Sequence, residues 1–149
     1  MTDVELFNKT IQEFIDSTKL TKFKWNHKDA IEFKGSEPDG FDVGLRYSEG
    51  EIYFYTTTGA HEHFLYGKGD ADDSIHDALG MVYDYLSPLM RIKVTMANNF
   101  PYKWEKEINR DDEWKRVSVM AQPFFNYFGK RTVKYVMNSV VSIRKEYTV

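Results

Sequence analysis

The chain contains no cysteine, so disulfide staples, thiolate metal sites and a cysteine nucleophile are excluded together. Proline is scarce, with 4 in 149 residues, and glycine numbers 9. No linker-like tract and no internal repeat divides the sequence. No apolar run approaches the roughly 18 residues that a membrane helix requires, and the mean hydropathy is −0.56. The opening residues, Met1-Thr2-Asp3-Val4-Glu5, are acidic and lack the apolar region of an export signal. These absences predict a cytoplasmic protein with no membrane partner, folded as a single globular domain over 1–149.

What is present suits a packed core. Hydrophobic residues make up 42% and charged residues 29% of the chain, a globular balance and not a disordered one. Residues 1–75 hold 8 Lys and Arg against 15 Asp and Glu, whereas residues 76–149 hold 12 against 8. The acidic first half and basic second half sum to the net charge of −3.

Periodicity locates the elements. Thr2 and Glu5 stand in capping-box spacing, and Val4, Phe7, Ile11, Phe14 and Ile15 recur at three- and four-residue steps, which predicts a helix over 3–18. Four short strands follow: one around Ile31 and Phe33, one carrying Phe41, Val43, Leu45 and Tyr47, one over 52–58 and one over 61–66. Ser48-Glu49-Gly50 marks the hairpin between the second and third. A second helix is expected over 72–86, with Ile75, Leu79, Val82 and Leu86 as its buried stripe and Ser87-Pro88 as its stop. Met90, Ile92, Val94 and Met96 then alternate with Arg91, Lys93 and Thr95. Strands over 102–108, 114–121 and 132–143 complete the chain, the last with Val133, Tyr135, Met137, Val141 and Ile143 on one face. Without βαβ alternation, the order α-ββββ-α-ββββ predicts an α+β fold: one antiparallel sheet of seven to eight strands with two helices on one face.

The main chemical candidate is His61-Glu62-His63. Residues two apart on a strand share a face, so both imidazoles can meet one divalent transition metal such as zinc, while Glu62 points away. His76, with Asp72 and Asp73 close by in sequence, is the expected third ligand, and the set would suit a hydrolase-like metal enzyme. Other signatures fail. Gly67-Lys68-Gly69-Asp70 lacks the rest of a phosphate loop, and Asp70-Ala71-Asp72 lacks the glycine and glutamate of a calcium loop. Glu105 and Glu107 can share a strand face, but Lys103 and Lys106 beside them predict a solvated, charge-balanced strand.

In the absence of a catalytic signature, the leading expectation is a protein-binding domain, of the inhibitor or immunity type that neutralises a toxin or enzyme. The acidic first half would meet a basic partner through Glu49, Glu51, Asp70, Asp72 and Asp73, and no cofactor is needed. Phe124, Phe125, Tyr127 and Phe128, bracketed by Pro123 and Gly129, form a second candidate contact that also suits self-association. Lys130, Arg131 and Lys134 follow, yet the overall pI near 5.8 disfavours a nucleic-acid partner.

Overall fold

The structure, a computed structural model, describes residues 1–65, 71–122 and 129–142. Helix α1 (Asp3–Thr18) leads into a meander of β1 (Phe23–His27), β2 (Ala30–Phe33), β3 (Val43–Ser48), β4 (Glu51–Thr56) and β5 (His61–Leu65). Helix α2 (Ala71–Leu86) follows. After it come β6 (Met90–Ala97), β7 (Phe100–Arg110), β8 (Glu113–Ala121) and β9 (Arg131–Met137).

The α+β class holds, but the single expected sheet is two. One has five strands in sequence order, and the other has four in the order β8-β7-β6-β9. Alternation reveals which residues share a face but carries no information on which strands pair. Here tight turns fix the partners. Glu49 and Gly50, Asn98 and Asn99, and Asp111 and Asp112 all adopt left-handed conformations, the geometry that two-residue hairpins demand. The β3–β4, β6–β7 and β7–β8 pairs follow from these turns, whereas β9 returns past β8 and β7 to pair with β6, and α2 separates β5 from β6. The additional strand is β1, paired antiparallel with β2.

Helix α1 forms as its sequence dictates. The Glu5 amide donates to Thr2 Oγ1 (3.2 Å) and the Thr2 amide donates to Glu5 Oε2 (2.7 Å), closing the capping box. Its buried stripe is Phe7, Thr10, Ile11 and Ile15. Helix α2 is the centre of the molecule. It contacts α1, strands β3, β4 and β5 of the first sheet, and β6 of the second. Ile75, Ala78, Leu79, Val82, Tyr85 and Leu86 are buried against Ile31, Phe33, Val43, Leu45, Ile52 and Phe54 of the first sheet and Met90, Ile92 and Val94 of the second. Among the described residues no helix is long and apolar enough to cross a membrane.

Two features join the halves. The Trp104 indole N–H of β7 donates to the Thr58 carbonyl in the β4–β5 turn, and its ring lies where a side chain on Gly59 would stand. The chain after β9 reaches back further. The expected strand over 132–143 ends at Met137, because Asn138 turns into the core and is fully buried. The Val140 and Val141 amides then donate to the Leu86 carbonyl (2.8 and 3.1 Å). These residues close the C-terminus of α2, whose last carbonyls lack partners within the helix. Ile143 lies outside the described residues.

Candidate functional site

In the second sheet, strand parity sends Ile92, Val94, Trp104, Lys106 and Val136 inward. The other face looks outward and is laid out in cross-strand rows. Met137, Arg91, Glu107 and Arg116 form one row, Tyr135, Lys93, Glu105 and Val119 the next, and Val133, Thr95, Lys103 and Ala121 the third. The two middle strands supply a charged band. The two edge strands supply apolar margins.

The band is internally bonded. Arg91 Nε donates to Glu107 Oε1 (2.7 Å), and its guanidinium lies 4.2 Å from the Trp114 ring centroid and 4.1 Å from that of Tyr135. That double stack fixes a cation between β8 and β9 across the width of the sheet. Glu105 is only 7% exposed, shielded by the side chains that reach over it. Arg116 Nη1 donates to Oε1 at 3.1 Å, and Lys103 and Lys93 stand at 3.7 and 3.8 Å. Burial pushes the Glu105 carboxyl up, but the Arg116 hydrogen bond and the charges of Lys103, Lys93 and Arg116 outweigh it and hold the group below the usual carboxylate range. The expectation of a charge-balanced strand holds, but Glu105 is not solvated. Glu105 and Glu107 do share a face, but Glu105 is covered, and Lys106 points to the opposite side, over the Tyr85 ring.

A carboxyl held low stabilises the fold above its unfolded titration range, and that contribution disappears as acid titrates it in the folded state. Glu105→Gln is therefore expected to cost about 1–2 kcal/mol at neutral pH, because the cations left behind can rehydrate. Urea midpoints measured against pH check this: the difference from the parent should vanish under acid and persist above the carboxylate range.

The margins carry most of the exposed large apolar side chains among the described residues. Val119 is 51%, Val133 48%, Tyr135 47% and Met137 40% exposed, all on this face, with Val117 at the β8 bulge beside them and Phe100 at the start of β7. Sequence alternation had already grouped Val133, Tyr135 and Met137. It could not say that their face is the open one, because an apolar alternate set ordinarily marks the buried side.

The residues singled out from sequence fall elsewhere. His61 and His63 share the outer face of the first sheet, beside Tyr53 and Tyr55, and Glu62 points to the other side. His76 does not join them. It lines a groove of about 400 Å³ between α1 and α2, with Thr10, Glu13, Phe14 and Tyr83, and the sheet stands between this groove and the other two histidines. The three histidines are therefore not gathered in one place: the phase of α2 turns His76 toward α1. Among the described residues no group of three or more His, Asp or Glu could hold a metal ion. Glu51 is hydrogen-bonded to His63, Glu49 occupies the β3–β4 turn and Asp73 lies exposed in the first turn of α2. Asp70, Phe124, Phe125, Tyr127 and Phe128 lie outside the described residues, as does the side chain of Asp72.

The chain matches no protein-family model, no curated protein and no solved structure.

Proposed function

We propose that the chain is a protein-binding domain whose contact surface is the outer face of the second sheet. The observation that carries this reading is the gathering of exposed apolar side chains onto the two edge strands of one sheet face, where they flank the charged band, since exposed apolar patches rimmed by polar residues mark interaction sites. Charge supports an acidic partner. Arg91, Lys93, Lys103, Arg116 and Arg131 share the face with only Glu105 and Glu107. This proposal differs from the expectation of a basic partner met by acidic residues of the first half. A protein is favoured over a nucleic acid because the margins are largely aliphatic and the Trp114 and Tyr135 rings are already stacked on Arg91, whereas single-strand binders offer free rings to bases. An inhibitor or immunity-type protein, which acts by covering its target, would use a surface of this kind.

The double variant Val119→Asp, Tyr135→Ser tests the reading. Both side chains are about half exposed, so the fold should survive. Saturable capture of one protein from the source cells should fall at least about tenfold, a loss of about 1.4 kcal/mol or more. Equal capture by parent and variant would refute the assignment of this face.

A further inference from the structure

We infer that His61 and His63 form a two-imidazole site for a divalent transition-metal ion on the outer face of β5. The inference is independent of the partner surface proposed above, which lies on the other sheet. Strand parity sets both rings on one side, and their centroids are 5.7 Å apart at 83°. When an imidazole binds a metal through nitrogen at about 2.0–2.1 Å, its centroid lies roughly 3.2 Å from the ion. An ion placed on both Nε2 lone pairs at this centroid separation would see the rings roughly 125° apart, near the tetrahedral angle.

The decisive feature is what the other ring nitrogens do. His61 Nδ1 lies 3.3 Å from the Gly59 carbonyl oxygen, and His63 Nδ1 is hydrogen-bonded to Glu51 Oε1. A carbonyl and a carboxylate can only accept, so each Nδ1 carries the proton and each neutral ring keeps its lone pair on Nε2. Metal-binding histidines are oriented in this way, by a carboxylate or a backbone carbonyl behind the ring. Here one ring has each.

The rings are also held in place. The Tyr53 ring centroid lies 4.9 Å from that of His63 and 5.7 Å from that of His61, and the ring stacks on Tyr55 with centroids 5.7 Å apart at 22°. Tyr55 crosses Gly44, where a side chain would collide with its ring, and donates its hydroxyl proton to Glu32 (3.2 Å). Burial, with the Glu32 charge and hydrogen bond, pushes the Tyr55 phenol up to about 12 and keeps it a donor. The floor beneath the two imidazoles is therefore preformed.

Neutral imidazole nitrogen suits zinc, nickel and copper, with copper(II) the tightest in the usual affinity order. With two protein ligands, the remaining positions belong to water and exchangeable ligands. Untagged chain titrated with copper(II) or zinc(II) salts should bind one ion, with copper(II) in the micromolar range. The frozen copper(II) complex should show two coupled nitrogens by electron paramagnetic resonance. His61→Ala and His63→Ala should each weaken binding at least tenfold, and so should His63→Asn, which retains a polar side chain without the Nε2 lone pair. Glu51→Gln, which removes the carboxylate behind His63, should weaken it about tenfold, and His76→Ala should leave it unchanged. Circular dichroism verifies that these surface variants stay folded. Absence of saturable binding, binding undiminished in the His61 and His63 variants, or an equal loss in His76→Ala would overturn the site.

Discussion

Replacing Asn138 by alanine is expected to cost about 3–5 kcal/mol, a large part of the roughly 5–15 kcal/mol that holds a domain of this kind together. The side chain is fully buried, and one amide serves four main-chain atoms. Its Oδ1 accepts from the Ser36 amide (2.9 Å) and the Phe41 amide (3.1 Å), while its Nδ2 donates to the Phe41 carbonyl (2.8 Å) and the Tyr85 carbonyl (3.1 Å). Alanine would leave all four without that partner, and each buried orphan costs about 1–3 kcal/mol before any water enters. Gly35 and Gly40 show how closely the loop approaches: a Cβ at either position would collide with Asn138 Oδ1. Asn138→Asp should be at least as damaging, because a second oxygen would face two carbonyls that need a donor. Urea unfolding with an unchanged slope measures both, and a loss under about 1 kcal/mol for the alanine variant would remove this role.

Trp104→Ala should cost about 3–5 kcal/mol, the usual range for deleting a buried aromatic ring. The residue is 4% exposed and spans the gap between the second sheet and the β4–β5 turn of the first. Two losses combine: the ring that packs on Gly59, and the indole donor to the Thr58 carbonyl. Trp104→Phe separates them, retaining most of the packing and losing the hydrogen bond and some volume, for about 1–2 kcal/mol. Thermal unfolding should then show a drop of about 6–20 °C for alanine and distinctly less for phenylalanine. Equal effects would place the whole contribution in the hydrogen bond.

Much of the fold was legible where the determinants are local. The Thr2–Glu5 box and the Phe7, Ile11 and Ile15 stripe fix α1 by themselves, and Ser48-Glu49-Gly50 fixes a hairpin. The common face of His61 and His63 follows from strand parity alone. Properties set between elements were not legible. Whether Val133, Tyr135 and Met137 face the core or water depends on the side from which α2 covers their sheet. The placement of His76 depends on the rotation of α2 against α1. Asn138 gave no signal at all, because its partners are main-chain groups that any sequence would supply.

That buried amide also sets an order of events during synthesis. Phe41 and Asn138 are 97 residues apart, and a ribosome adding about 5–20 residues per second needs about 5–20 s to make that stretch. Until residues 138–141 emerge, the nascent first sheet and its two helices have an unfastened loop at 36–41 and bare carbonyls at the end of α2. The half of the molecule translated first is therefore completed last, by a few residues from far downstream.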